Sequence, residues 1–332
     1  MSRPRVVIIG SGFGGLFAAR ALAHADVDVT LVSKIVSHLF QPLLYQVATG
    51  ILSTGEVAPA TRDVLRRQRN ATVLLAEVTG IDLAAHRIHA SKLGEDLSLD
   101  YDYLIVAAGA GQSYFGNDHF ATFAPGMKSI DDALELRARI FGSLEMAELT
   151  DDPEQRRRLM TFVVVGAGPT GAEMAGQIAE LTGHTLRDDY RRIDTTSARV
   201  LLFDGVDAVL GSFGPKLAAS ARAQLERNGV DVRLGAMVTD LDADGLQVRY
   251  SDGRAERIEA ACKVWAAGVQ ASPLGAMLAE QSGAELDRAG RVKVRPDLTL
   301  PGHPEVFVVG DMIALDNLPG VAPVAIQGGR YA

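Results

Sequence analysis

Cysteine is almost missing from this 332-residue chain, which contains only Cys262. A single cysteine excludes a disulfide within the chain, a cysteine-rich zinc site and an iron–sulfur cluster bound by cysteines. It also excludes a redox-active pair of thiols, so electrons handled by the chain cannot pass to a disulfide of its own. The low cysteine content fits a reducing compartment.

Long apolar segments and an excess of positive charge are missing too. No apolar run approaches the ~20 residues that cross a bilayer, and a first strand beginning by Arg5 leaves no room for a signal peptide. We therefore expect a cytoplasmic chain. With 33 basic and 41 acidic residues the net charge is −8, which disfavours nucleic-acid binding. The basic runs at 66–69 and 156–158 are interpreted as solvated helix faces.

Histidine shows no spacing typical of a metal site, although the chain has seven. His86 and His89 stand three residues apart, but they are expected to alternate along a strand. We expect no metal. His38 is interpreted as making a local hydrogen bond.

Glycine, in contrast, is abundant, with 34 residues in the chain. Two clusters, GSGFGG at 10–15 and GAGPTG at 166–171, each follow a short β-branched run. A second pair of apolar runs ends at Gly109 and Gly268 in the same order. Such runs are typical of parallel strands buried on both faces. The chain is predicted to contain two copies of one strand–turn–helix–strand unit.

Each cluster has the GxGxxG spacing that binds the diphosphate of a dinucleotide. The first glycine allows the tight turn, the second lets the diphosphate approach the backbone, and the third lets helix and strand pack closely. The diphosphate then lies on free N–H groups at the helix N-terminus. These roles fall on Gly10, Gly12 and Gly15 and, in the second copy, on Gly166, Gly168 and Gly171. The helices are expected at 16–25 and 172–181.

The residue after the second strand of each copy indicates which nucleotide binds there. In the second copy it is Asp204, whose carboxylate can accept hydrogen bonds from the adenosine ribose and would repel the extra phosphate of NADP. NADH is therefore expected in the second copy. The first copy has Ser33 and Lys34 instead, and these residues alone leave NADP open there.

A helix is predicted between the two copies, because Ser129 and Asp132 form a capping-box pattern. Its apolar positions recur through Leu149. We divide the chain into a first nucleotide-binding domain at 1–126, a second at 127–290 and a closing part of the first at 291–332. Since the chain stops within an apparent helix, we expect a fragment.

Two dinucleotide units, with a late strand that ends at Gly310 and Asp311, resemble the two-dinucleotide-binding flavoproteins. That resemblance implies an α/β fold with two Rossmann-like domains, the second inserted into the first. In that superfamily the first unit binds FAD and the inserted unit binds the nicotinamide nucleotide. The implied FAD residues are Gly10, Gly12, Gly14, Gly15, Ser33, Gly109, Gly310 and Asp311. The implied NADH residues are Gly166, Gly168, Gly171, Glu173, Asp204 and Gly268.

Three further segments narrow the resemblance. FQPLLYQVATG at 40–50, GAE at 171–173 and APVAIQ at 322–327 are similar to the bacterial type II NADH:quinone oxidoreductases, and the similarity covers essentially the whole chain. In that family the first segment lines the flavin ring and the last borders the quinone. The resemblance therefore implies FAD contacts at Pro42, Leu43 and Thr49, and catalytic roles for Gln46, Glu173 and Gln327.

The implied reaction moves hydride from NADH to FAD and then two electrons to a membrane quinone, menaquinone or ubiquinone, without pumping protons. The family continues beyond residue 332, so a homodimer and attachment to the inner face of the cell membrane are implied only for a longer chain. Two alternatives stay open. One is a soluble NAD(P)H-dependent reductase of a ferredoxin or rubredoxin. The other is a non-catalytic, truncated nucleotide-binding remnant, which departures from the family pattern at Ser33, Pro323 and Gly328 would suit.

Overall fold

The computed structural model describes residues 3–332. The strands are β1 (Arg5–Ile9), β2 (Asp28–Ser33), β3 (Ala71–Leu75), β4 (Glu77–Asp82), β5 (Arg87–Lys92), β6 (Glu95–Asp100), β7 (Tyr103–Val106), β8 (Ala110–Gln112), β9 (Thr161–Val165), β10 (Arg199–Phe203), β11 (Val230–Arg233), β12 (Ala236–Leu241), β13 (Gly245–Tyr250), β14 (Ala255–Glu259), β15 (Cys262–Trp265), β16 (Val269–Ala271), β17 (Val292–Lys293), β18 (Thr299–Leu300), β19 (His303–Val308) and β20 (Ile313–Ala314). The helices are α1 (Phe13–Ala21), α2 (Leu44–Ala48), α3 (Thr54–Val57), α4 (Thr61–Val64), α5 (Ile130–Leu149), α6 (Pro153–Leu159), α7 (Pro169–Glu180), α8 (Pro215–Arg227), α9 (Leu274–Ser282) and α10 (Ala322–Tyr331).

The chain folds into two compact units. Unit 1 contains the chain up to Phe40, Ala58–Gly111 and Val269–Ala332, and unit 2 contains Gln41–Val57 and Gln112–Gly268. Compared with the predicted domains, 41–57 and 112–126 lie in unit 2 and 269–290 in unit 1. The predicted bounds state which segment binds which nucleotide. The division into compact units does not test nucleotide binding, so these bounds stay a prediction.

Unit 1 is built on a sheet with the strand order β18–β19–β7–β1–β2–β3. β1 pairs in parallel with β2 and with β7, and β19 pairs in parallel with β7. The strand near the start of the chain therefore shares a sheet with one near its end. The apolar run Val6–Ile9 is at most 4% exposed, as predicted for a central parallel strand. A separate antiparallel sheet, β4–β5–β6, also belongs to unit 1.

Unit 2 repeats this plan with the strand order β11–β10–β9–β15. β9 pairs in parallel with β10 and with β15, and all of its residues are buried. An antiparallel sheet, β12–β13–β14, belongs to the same unit. In both units, therefore, a buried β-branched strand ends at a glycine cluster.

The helices after these clusters begin earlier than predicted. α1 begins at Phe13 rather than at residue 16, and α7 begins at Pro169 rather than at residue 172. Glycine usually disfavours helix interiors, but the third glycine of each motif lies inside the first helical turn, where close packing needs it. The capping box is confirmed: Asp132 N donates to Ser129 Oγ over 3.1 Å, and Ser129 N donates to Asp132 Oδ2 over 2.8 Å. Among residues 3–332, none of the helices combines the length and apolarity needed to cross a membrane.

Candidate functional site

The first glycine loop, residues 10–15, turns sharply from β1 into α1. Gly10 has φ +103°, and a Cβ there would lie 2.3 Å from the carbonyl oxygen of Ala107. A Cβ on Gly15 would lie 1.9 Å from the Gly10 oxygen. A Cβ on Gly12, in contrast, would meet no described atom within 4 Å. Close packing therefore requires glycine at positions 10 and 15, whereas Gly12 borders open space at the helix N-terminus.

The second glycine loop, residues 166–171, has the same arrangement in unit 2. Gly166 has φ +108°, and a Cβ there would lie 2.6 Å from Ala267 N. A Cβ on Gly171 would lie 1.7 Å from the Gly166 oxygen, whereas one on Gly168 would meet no described atom within 4 Å. Gly168, like Gly12, is an N-cap without a side-chain cap hydrogen bond. Both loops therefore fit a diphosphate, which would fill the open space and accept hydrogen bonds from the uncapped helix turn.

Asp204, immediately after β10, fastens the second loop. Its Oδ2 accepts a hydrogen bond from Ala167 N at 2.6 Å, and its Oδ1 accepts one from Val206 N at 3.1 Å. A carboxylate offers about four acceptor positions, so acceptor capacity remains for ribose hydroxyls. The contact with Ala167 was not predicted, because no local pattern shows that the strand end and the loop meet.

Ser33, at the equivalent place in unit 1, is buried in a network of hydroxyl groups. Its Oγ lies 2.9 Å from Ser11 Oγ and accepts a hydrogen bond from Ile35 N at 3.3 Å. Ser11 Oγ donates to the Ser37 carbonyl at 3.2 Å. Because Ser11 gives its single proton to Ser37, Ser33 donates to Ser11 and can only accept from a ribose hydroxyl.

The same network includes His38, which is buried. Its Nδ1 lies 2.8 Å from the carbonyl oxygen of Ser11. Since a carbonyl only accepts, Nδ1 carries a proton. The predicted local hydrogen bond of His38 is therefore confirmed.

The other predicted FAD residues of unit 1 follow neighbouring strands at the same sheet edge as the first loop. Gly109 comes after β7, and Gly310 with the partly buried Asp311 comes after β19. Both glycines have positive φ, +68° and +73°. Helix α10 packs closely here, because a Cβ on Gly329 would lie 2.2 Å from the Gly14 oxygen. Gly329 was not singled out from the sequence, since the packing of α10 on α1 is a long-range contact.

The segment around α2 belongs to unit 2 and carries Pro42, Leu43, Gln46 and Thr49. Thr49 is buried and its hydroxyl donates to the Tyr45 carbonyl at 2.9 Å. Gln46 Nε2 donates to Tyr45 Oη at 3.0 Å. Gln327, in the segment predicted to border the quinone, lies exposed on α10 in unit 1.

Glu173 lies near the start of α7, two residues after the last glycine of the second loop. Burial of its carboxyl group raises its pKa to about 6, although the residue as a whole is exposed. An ordinary glutamate is fully ionised at pH 7. The raised pKa lets Glu173 hold or release a proton near neutral pH.

The single cysteine is buried and unreactive. Cys262 is fully buried in β15, and burial raises the pKa of its thiol to about 12. The thiol therefore stays protonated and shielded from solvent. Within residues 3–332, no group of three or more His, Cys, Asp and Glu side chains is placed to hold a metal ion.

Comparison with known proteins places this geometry in a family. The family described as "Pyridine nucleotide-disulphide oxidoreductase" matches residues 4–329. Type II NADH:quinone oxidoreductase Ndh of Mycobacterium tuberculosis is 64% identical over 329 residues, which are 99% of this chain and 71% of Ndh. NdhA of the same organism is 61% identical over 331 residues, 99% of this chain and 70% of NdhA. The solved structure of NDH2 from Plasmodium falciparum in complex with NADH superposes with a TM-score of 0.85 at 24% identity, over 94% of this chain and 64% of that one.

These matches confirm the predicted α/β fold class, with its two Rossmann-like domains, and the predicted family resemblance. They span nearly the whole chain, whereas the chain spans about 70% of the mycobacterial relatives. The roles of individual site residues stay predictions, because the matches do not assign them. The chain belongs to the type II NADH:quinone oxidoreductases, within the pyridine nucleotide-disulphide oxidoreductase family.

Proposed function

We propose that this chain is an FAD-dependent enzyme that oxidises NADH and passes two electrons to a quinone without pumping protons. One observation carries the proposal. Each unit holds a glycine loop with the same three-part geometry, in which two glycines pack tightly and one borders open space. An enzyme with two such loops can bind two dinucleotides, and family membership names FAD and NADH as the pair.

Unit 1 would hold FAD at the first loop. Gly12 borders the open space for the diphosphate, and Gly10 and Gly15 keep the turn tight. Gly14 lets α1 pack against Val309 and Ala107, at the ends of two neighbouring strands. The flavin, when bound, supplies a group that accepts hydride and then releases two electrons. Asp311 and Gly310 would contact the ribityl–phosphate part of FAD, and Ser33 would contact its ribose. Gly109, at the same sheet edge, is proposed to contact FAD as well. Pro42, Leu43 and Thr49, which belong to unit 2, are proposed as FAD contacts from the family resemblance alone.

Unit 2 would hold NADH at the second loop. Gly166, Gly168 and Gly171 shape the diphosphate site, Asp204 accepts from the adenosine ribose, and Gly268 lies on the nicotinamide side. The negative charge of Asp204 disfavours the 2′-phosphate of NADPH by direct repulsion. NADH is therefore the preferred nucleotide.

Three polar side chains are proposed to serve the reaction itself. Glu173, with its raised pKa, orients the nicotinamide or holds a proton close to it. Gln46 and Gln327 each carry an amide that can donate and accept, which suits a quinone carbonyl that becomes a hydroxyl.

The acceptor is a lipid-soluble quinone, so we place the reaction at the inner face of the cell membrane. A homodimer and membrane attachment are proposed only for a chain that extends beyond residue 332.

Anaerobic spectroscopy of the FAD-loaded protein tests the function. NADH is expected to bleach the flavin absorbance faster than NADPH, and a soluble quinone is expected to restore it. A protein that cannot be loaded with FAD would contradict the proposal and favour a non-catalytic remnant. Restoration by a ferredoxin but not by a quinone would favour the soluble reductase instead.

A further inference from the structure

We infer that Phe115 forms one wall of the subsite for the nicotinamide half of the nucleotide in unit 2. The inference rests on the proposed binding of NADH to the second glycine loop. It assigns a role to a side chain that neither the GxGxxG motif nor the family segments include.

The order of strands in unit 2 separates the two halves of a bound dinucleotide. The glycine loop follows β9, Asp204 follows β10 on one side, and Gly268 follows β15 on the other side. The adenosine ribose belongs at the strand end that carries the acid. The nicotinamide half therefore extends toward β15 and the backbone at Gly268.

Phe115 packs directly on that backbone. A Cβ on Gly268 would lie 2.5, 2.9 and 3.1 Å from the ring atoms Cζ, Cε2 and Cε1 of Phe115. The neighbouring residue Gln112 donates through Nε2 to the carbonyl oxygens of Ala267 at 2.6 Å and of Gly268 at 2.8 Å. The loop that carries Phe115 is thus fastened to the end of β15.

Phe115 is exposed to solvent, and its backbone is in a strained conformation. Phe115 has φ +54°, a left-handed conformation that non-glycine residues adopt rarely, and 67% of the residue is exposed. Its neighbour Tyr114 is buried, donates to the Ala124 carbonyl at 3.0 Å and packs 5.4 Å from the Trp265 ring. Anchoring of Tyr114 and Gln112 therefore fixes Phe115 in place. Strained backbone of this kind clusters at ligand sites, and an exposed aromatic face offers a surface on which a nicotinamide ring can pack.

Calorimetric titration of the oxidised, FAD-loaded protein tests the inference, because NAD⁺ then binds without reaction. ADP-ribose, which lacks nicotinamide, is the matched ligand. Phe115→Ala is expected to raise the Kd of NAD⁺ about tenfold and that of ADP-ribose less than about twofold. Phe115→Tyr, which keeps the ring, is expected to bind both ligands like the parent protein.

The outcomes separate this inference from the proposed function. An equal rise in the Kd of both ligands would show a general loss of structure. Unchanged or tighter NAD⁺ binding would show that the ring does not support nicotinamide. Either result overturns the inference. If the parent protein binds neither ligand, the proposed function is wrong, and the inference that rests on it is wrong too. Emission from Trp265, the chain's single tryptophan, checks that each variant keeps its fold, since Trp265 Nε1 donates to the Ser113 carbonyl at 2.9 Å.

Discussion

The two glycine loops have the same backbone shape but are fastened by different side chains. In unit 2 the Asp204 carboxylate accepts directly from the loop at Ala167 N. In unit 1 the link runs through two hydroxyls, Ser33 to Ser11. The glycines therefore determine the turn, and the residue at the end of the second strand determines how the loop is held.

The difference also affects charge. Asp204 brings a negative charge beside the second glycine loop, and its hydrogen bond from Ala167 N is charge-assisted, which makes it stronger than a bond between neutral groups. Ser33 brings no charge. Loss of the strand-end side chain should therefore matter more in unit 2 than in unit 1.

The largest expected effect distinguishes packing glycines from the glycine that borders open space. Gly15→Ala would place a Cβ 1.9 Å from the Gly10 oxygen, so the free energy of unfolding should fall by about 3 kcal/mol. Gly12→Ala has free space around the new methyl group and should keep the stability of the ligand-free protein while weakening FAD binding. Denaturation of the FAD-free variants, followed by FAD titration, measures both quantities. Equal stability of the two variants would contradict the assigned roles.

Unit 2 allows the same comparison. Gly171→Ala should destabilise and Gly168→Ala should not, because the corresponding Cβ distances are 1.7 Å and beyond 4 Å. A Gly168→Ala protein should still bind FAD and lose affinity for NADH. That pattern distinguishes a local effect on unit 2 from a general loss of fold.

The second expected effect concerns Asp204→Ala. This change removes the ribose acceptor and leaves Ala167 N without its partner, and hydrogen bonds to charged groups contribute about 1.5–3 kcal/mol. The Kd of NADH should therefore rise about 10- to 100-fold, and the preference for NADH over NADPH should shrink. Stopped-flow flavin reduction at varied nucleotide concentration measures both values. An unchanged preference would show that Asp204 does not select against the 2′-phosphate, and unchanged FAD affinity is the control.

Local sequence patterns predicted the parts of this fold that depend on neighbouring residues. β1 begins at Arg5 and β10 ends directly before Asp204, as predicted, because continuous apolar runs leave little choice. The capping box at Ser129 was equally local. The close packing at the first and third glycine of each motif was also predictable, since each has a distinct steric reason. Diphosphate binding at the second glycine stays a prediction.

Other features depend on contacts between distant residues and left no local signal. The sequence does not show that Ser11 meets Ser33, that Gly329 approaches Gly14, or that residues 41–57 join unit 2. The ring of Phe115 on Gly268 belongs to the same class. Both helices begin three residues before the predicted starts, because close packing of the motif glycines outweighs their low helix propensity.

A smaller effect is expected from Ser33→Ala, the unit 1 counterpart of the Asp204 change. Loss of one neutral hydrogen-bonded hydroxyl costs about 1 kcal/mol, which corresponds to about a fivefold higher Kd for FAD. NADH affinity should not change. FAD titration followed by flavin fluorescence measures the effect. A loss as large as that of NADH in Asp204→Ala would show that charge does not distinguish the two loops.

The smallest effect lies in the pH dependence of flavin reduction. The pKa of Glu173 is about 6, so its carboxyl group is protonated below that pH and ionised above it. Glu173→Gln resembles the protonated form at every pH; the rates of variant and parent should therefore converge near pH 5 and separate above pH 7. Because the pKa is raised in the folded state, the protonated form adds stability below about pH 4.5, and this contribution is lost as the pH rises through 6. The variant should consequently unfold at a slightly higher temperature than the parent at pH 7.

Stopped-flow reduction by NADH from pH 5 to pH 8 checks the kinetic part, with Glu180→Gln on the same helix as the matched control. Glu180 is exposed at the far end of α7, so its variant should follow the parent profile throughout. A step near pH 6 that persists in Glu173→Gln would assign the titration to another group. In that case the Glu173 carboxylate acts only through the helix dipole, as any acid near a helix N-terminus does. Unit 2 would then differ from unit 1 in how it holds its nucleotide but not in handling protons.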